Sequence, residues 1–167
     1  DQDETYDAQI FSLALLLSSY FVLNSMGVID EAAIDRLFLI TQISKRVCAA
    51  TAAEAEELSG SDGDASSRAA LSKFFPPLLW LLRDFVLELS DGNGGELTAN
   101  QYMERSLEAR NKAQRRADER NDTRQAIRAL FGSRHCATLV RPAAEEEQVR
   151  QAVTSTELRP DFLSQMY

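Results

Sequence analysis

The chain has 167 residues, 44% of them apolar, and a formal net charge of -8. That length suits a single domain, and that apolar content supports a packed core and argues against bulk disorder. An acidic surface disfavours general binding to nucleic acid or to anionic membranes.

The predicted elements begin after an acidic loop, Asp1 to Asp7. Asp7 is placed to cap a helix from about Ala8 to Leu17, with Ile10, Phe11, Ala14 and Leu17 at helical spacing. The apolar stretch Ile10 to Leu23 is interrupted by Ser12, Ser18 and Ser19. It is too short and too polar to span a membrane and suits a buried core. Tyr20 to Leu23 is aromatic and branched, which predicts a buried strand, with Asn24-Ser25-Met26-Gly27 as its turn-forming end. Asp30 is a natural N-cap for the next helix, whose face is Ala33, Ile34, Leu37, Ile40, Thr41, Ile43 and Ser44 and whose end lies near Arg46. Ser59 to Ser67 is rich in Ser, Gly and Asp and reads as a flexible surface loop.

Leu78-Leu79-Trp80-Leu81-Leu82 is apolar at every position, the pattern of a parallel strand covered on both faces. Arg83-Asp84 stands at its C-terminal end. Ser90 to Gly95 is a turn cluster, and GxxxxGK[ST] occurs nowhere in the chain. Thr98-x-x-Gln101 is a capping box for a helix carrying Tyr102, Met103, Leu107 and Ala109. Asp122-x-x-Gln125 is a second cap signal, and Gly132 stops the helix that it opens. The basic residues between Arg110 and Arg134 are mixed with Asp118, Glu119 and Asp122, which reads as a solvated helical face. Cys136 to Val140 is a third strand, ended by Arg141-Pro142. Ala143 to Thr156 is acidic and mobile in character, with room for a helical turn, and Pro160 starts a last helix.

The two cysteines, Cys48 and Cys136, are far apart, and no Cys/His spacing suggests zinc. His135 and Cys136 are neighbours on a strand, so they face opposite ways and make a poor ligand pair. A reducing compartment is the default. The first residue is Asp and no signal peptide is visible, so the chain is expected to begin inside a longer protein. The C-terminal Gln165-Met166-Tyr167 carries no prenylation signal.

Alternation of strands and helices predicts an α/β fold with parallel strands joined by right-handed crossovers. Ligands of such sheets bind beyond the carboxyl ends of the strands, which singles out Asn24-Ser25, Arg83-Asp84 and Arg141-Pro142. A charged pair at the end of an apolar strand is either a surface ion pair or a ligand-recognition device, and position alone favours the ion pair.

Several of these motifs resemble one family. Ser18 to Gly27 is similar to the strand-and-turn signature of guanylate-binding proteins and the related atlastins. Phe74-Phe75-Pro76 and then Trp80 to Phe85 resemble their strand ending in the arginine–aspartate guanine motif. Leu97-Thr98, Tyr102, Ser106-Leu107, Ala126 to Arg128, Phe131, Cys136, Arg141-Pro142, Glu157-Leu158 and Pro160 to Phe162 follow in order at compatible spacing. The resemblance covers nearly the whole chain and is closer to guanylate-binding proteins than to atlastins. Leu81, where many members have threonine, departs from the pattern, and Ala143 to Thr156 matches poorly.

The resemblance implies a P-loop NTPase-like parallel sheet with flanking helices, from a large dynamin-type GTPase. The chain would be the C-terminal part of the GTPase domain, with the phosphate loop and switches before Asp1. Asp84 would grip the guanine edge, Arg83 would be its partner, and Arg141 would mark the base of a guanine cap at Ala143 to Thr156. GTP would be the substrate, with Mg2+ and hydrolysis belonging to the complete domain and none of the catalytic residues in this segment. A GTP-dependent homodimer, a cytoplasmic setting and any membrane association through other regions are further expectations. The competing expectation is a non-catalytic protein-interaction module, truncated or degenerate, and a third is a small adaptor unrelated to nucleotides.

Overall fold

The computed structural model describes residues 10, 13–15, 17–38, 42, 72, 75–92, 94–110, 117–150 and 158–166. After helical residues at 10, 13–15 and 17, the element order is β1 (Phe21–Met26), α1 (Glu31–Arg36), β2 (Leu78–Arg83), α2 (Ala99–Ser106), α3 (Ala117–Leu130), β3 (Arg134–Leu139), α4 (Glu146–Arg150) and α5 (Pro160–Met166). The sheet is three-stranded and parallel, in the order β1-β2-β3. The expected α/β class, with helices flanking a parallel sheet, is therefore present.

Alternation along the strands sorts their side chains. Leu78, Trp80 and Leu82 are buried on one face of β2, joined in the core by Ala33 and Ile34 of α1, Met103 of α2, and Ile127 and Leu130 of α3. Phe131 closes this core, stacked on Phe21 at 6.3 Å and edge-on to Phe75 at 5.7 Å. Each of the leucine, isoleucine, methionine and phenylalanine side chains among them contributes about 1.5–3 kcal/mol by leaving water. Leu79 and Leu81 are only half-buried. Against the expectation of a strand covered on both faces, the covering is uneven: complete over Leu78, Trp80 and Leu82 and partial over Leu79 and Leu81. On the other face Val22 and Met26 of β1 are exposed, Met26 by 69%.

Local signals set most boundaries. Asp30 accepts a 2.8 Å hydrogen bond from the Ala33 N–H and caps α1. Thr98 and Gln101 bond reciprocally at the start of α2, a complete capping box. Two boundaries differ from expectation. Asn24, Ser25 and Met26 belong to β1, and the turn comes at Gly27, whose φ of 78° suits a residue without Cβ. Asp122 does not open a helix: it lies inside α3, which already runs from Ala117. The buried face of Ala117, Thr123, Ala126, Ile127 and Leu130 carries the helix past it.

In the first helical segment Leu15 enters the core, whereas Ile10, Ala14 and Leu17 are exposed. The face expected from spacing is thus rotated, because nearly every position there is apolar and the period is ambiguous. Helix α1 gives way to a turn at Leu37, with Phe38 and Gln42 helical again, and the expected end near Arg46 lies outside the described residues. The expected loop at Ser59 to Ser67 also lies outside them. The turn cluster after β2 is a closed loop, with Ser90 bridging Glu96 and the Asp91 N–H bonded to the Gly95 carbonyl at 2.9 Å.

The basic stretch is not a simple solvated face. Arg124 of α3 is buried, and donates to Glu31 Oε1 at 2.6 Å, the Ser106 carbonyl at 3.1 Å and Asn121 Oδ1 at 3.2 Å. Arg120 forms a two-pronged pair with Asp35, both bonds at 2.7 Å, and that hydrogen bonding raises its pKa further. Arg110 reaches Glu31 at 3.1 Å, and Arg134 grips Glu104. These pairs fasten α1 to α3, and α2 to β3.

Candidate functional site

Because the strands are parallel and in register, their carboxyl ends meet at one edge. Met26 pairs with Arg83, and Arg83 with Leu139. The Gly27 N–H donates to the Arg83 carbonyl at 2.7 Å, and the Phe85 N–H donates to the Leu139 carbonyl at 3.0 Å. Asp84 is therefore suspended between two residues, each tied to a different neighbouring strand. It is half-buried and has a left-handed backbone, φ 53°, the one non-glycine residue so described. That conformation costs about 1 kcal/mol for a residue with Cβ, least for Asn and Asp, and persists where flanking contacts over-determine it.

No described residue forms a hydrogen bond or ion pair with the Asp84 carboxylate. The surface ion pair with Arg83 is not formed. Arg83 is exposed and turns to β1, where its Nε donates to Asn24 Oδ1 at 2.7 Å. Ser25, one position on, accepts from Trp80 Nε1 at 2.9 Å, which locks the same strands on the opposite face. Asn24 and Ser25 had been singled out as strand-end residues, but as part of a turn; the Arg83 contact needs β1 and β2 in register and has no local signature.

Arg141 lies two residues past the end of β3 and is half-buried, with no partner among the described residues. The segment beyond it is anchored at its base. Ala143 is buried, the Pro142 carbonyl accepts from the Arg159 N–H at 2.8 Å, and the Val140 N–H donates to Gln165 Oε1 at 2.9 Å. The mobile character expected from Ala143 onward thus does not apply at that residue. Helix α4 follows, exposed at Glu147, Val149 and Arg150, and residues 151–157 are outside the description. The structure thus places Arg83 and Asp84 at the sheet edge and Arg141 on the chain leaving it.

Sequence reasoning missed the support beneath Asp84. Phe85 is buried, and its ring meets Tyr102 of α2 edge-on at 5.6 Å and 67°. The Tyr102 hydroxyl accepts a 3.0 Å hydrogen bond from the Ile29 N–H, in the loop leaving β1. The signal available was an aromatic directly after the Gln of the capping box, and its partners were not legible. Elsewhere, His135 is exposed and Cys136 buried, as strand alternation requires, and burial pushes the Cys136 thiol up to about 12. Among the described residues no three or more His, Cys, Asp or Glu side chains gather to hold a metal ion. No helix among them is long and apolar enough to cross a membrane.

Comparison with known proteins settles the kinship. The family model for the guanylate-binding protein, N-terminal domain, matches residues 1–167. The chain belongs to the guanylate-binding protein family. It is 36% identical over 165 residues to human (Homo sapiens) guanylate-binding protein 2, covering 98% of this chain and 27% of that protein. It is 37% identical over 145 residues to mouse (Mus musculus) guanylate-binding protein 7, with coverage of 87% and 22%. Human guanylate-binding protein 1 is 32% identical over 165 residues, again 98% of this chain and 27% of the relative. The chain thus spans about a quarter of the length of these guanylate-binding proteins.

Proposed function

We propose that this chain is the C-terminal part of a GTP-binding and GTP-hydrolysing domain, and that its strand-end edge recognises the guanine base. Asp84 is the recognising group. A carboxylate accepts two parallel hydrogen bonds, and guanine presents two neighbouring donors, its ring N–H and its amino group. Adenine has an acceptor where guanine has the ring N–H, so it would leave the carboxylate unpaired. The observation that carries this reading is the half-buried Asp84 carboxylate, uncommitted to any described residue, at the carboxyl edge of a parallel sheet. Arg83, held by Asn24, sits beside it as the cationic member of the motif.

In the same reading Arg141 stands at the base of a cap over the base, formed by Ala143 to Thr156, and the complete protein associates through it as a GTP-dependent homodimer. Phosphate and Mg2+ positioning, on which hydrolysis depends, is assigned to other parts of the complete protein. With no GxxxxGK[ST] of its own, the chain alone is inactive toward GTP.

The test is nucleotide affinity of the complete protein carrying Asp84→Ala or Asp84→Asn. Losing a buried charge-assisted pair costs about 3 kcal/mol, so GTP affinity should drop about 100-fold while ATP affinity stays where it was. If neither substitution lowers the preference for GTP over ATP, Asp84 does not read the base.

A further inference from the structure

We propose that Tyr102 is a positioning residue for base recognition, fixing the direction of the Asp84 carboxylate by joining the two loops that leave β1 and β2. The inference rests on the reading of Asp84 as the guanine-binding group.

Tyr102 uses its two ends differently. Its ring edge supports Phe85, the residue directly after Asp84, at a centroid distance of 5.6 Å. Its hydroxyl takes the N–H of Ile29 at 3.0 Å, two residues past the glycine that ends β1. Phe85 and Ile29 are both buried, so neither contact is made in open solvent. The same two loops also meet through the backbone, where the Gly27 N–H bonds the Arg83 carbonyl.

Tyr102 itself stands on a fixed base. It lies in the first turn after the Thr98–Gln101 capping box, its N–H bonds the Thr98 carbonyl at 3.0 Å, and its own carbonyl accepts from Ser106 Oγ at 2.9 Å. A left-handed aspartate needs its neighbours held, since a turn of the peptide on either side redirects the carboxylate. The Phe85 side is held by the Tyr102 ring and by Leu139, and the Arg83 side by Gly27 and Asn24. Tyr102 reaches both loops, one through its ring and the other through its hydroxyl.

Reading two donors at once demands direction, whereas reading one tolerates error. Inosine triphosphate keeps the ring N–H of guanine and lacks the amino group, so the ratio of GTP to ITP affinity reports how well the second hydrogen bond is aligned. A loss of stability alone lowers both affinities together and leaves the ratio unchanged.

The experiment measures GTP and ITP affinities of the complete protein as wild type, Tyr102→Phe, Tyr102→Leu and Asp84→Ala. Tyr102→Phe keeps the ring and deletes the hydroxyl. It should reduce the GTP-over-ITP ratio about threefold to tenfold, and Tyr102→Leu should reduce it further. A ratio that collapses in Asp84→Ala but is unchanged in both Tyr102 variants overturns the positioning role and leaves the base reading intact. A ratio unchanged in Asp84→Ala overturns both. If Tyr102→Leu fails to fold, Tyr102→Phe decides the question alone.

Discussion

Arg124→Met is the most demanding test of how the helices are held. Arg124 is 2% exposed and spends its guanidinium on Glu31, the Ser106 carbonyl and Asn121. Methionine keeps the unbranched stem and removes all three bonds. Breaking a buried pair by deleting one partner costs about 3–5 kcal/mol when the other charge is left alone. Glu31 is not left alone: Arg110 and Arg120 stay at 3.1 and 3.5 Å, and its side chain is 24% exposed. The residual loss is therefore about 2–3 kcal/mol, carried by the unpaired Ser106 carbonyl and a weakened Glu31 pair. Native-state hydrogen exchange read by mass spectrometry localises that loss. Amides of α1 and the middle of α3 should exchange about 30- to 150-fold faster, since about 1.4 kcal/mol is tenfold. Arg120→Ala is the comparison, because its pair with Asp35 is open to solvent and screened. Equal acceleration by the two substitutions would refute the claim that burial, not the number of ion pairs, makes Arg124 the fastening.

Three further outcomes follow from local features. Thr98→Ala removes the capping box and should destabilise α2 by about 1 kcal/mol, seen as faster exchange in its first turn with little change in α3. Burial holds the Cys136 thiol protonated, up to about 12, so peptide-resolved alkylation at pH 8 should spare Cys136 in the native protein and label it in denaturant. The sign for stability follows from the same shift. A pKa raised in the folded state means that the contribution is intact below the ordinary thiol range and is lost as pH rises through it toward about 12. The alkaline decline in stability should accordingly be shallower in Cys136→Ala than in the wild type.

What could be read from the sequence was what neighbouring residues decide. Asp30 and Thr98 announce helix starts because a cap is completed within three residues, and both caps form. Leu78 to Leu82 announces a strand through its length and composition, and Arg83-Asp84 falls at its end in the structure as in the sequence. Asp122 misled because the same side chain that caps a helix also sits on an exposed helical face, and the difference lies in what Thr123 and Ile127 pack against. Arg124 misled because its partner Glu31 is distant in the chain, so its burial has no local trace. At the site, the aspartate was legible and its backbone was not. Nothing in Asp84-Phe85 encodes a left-handed φ until Gly27, Leu139 and Tyr102 are brought around it.

The parallel sheet has a consequence for assembly. Trp80 meets Ser25 across 55 positions, and Arg124 meets Glu31 across 93. Contacts of such separation close large loops before they yield stabilisation, which slows folding. A ribosome delivers β1 long before β2 and α3, so the backbone of β1 emerges before its β2 partner has been made. During that interval the N–H and C=O groups that β2 will pair are open to another strand, the hazard that any unpaired sheet edge carries.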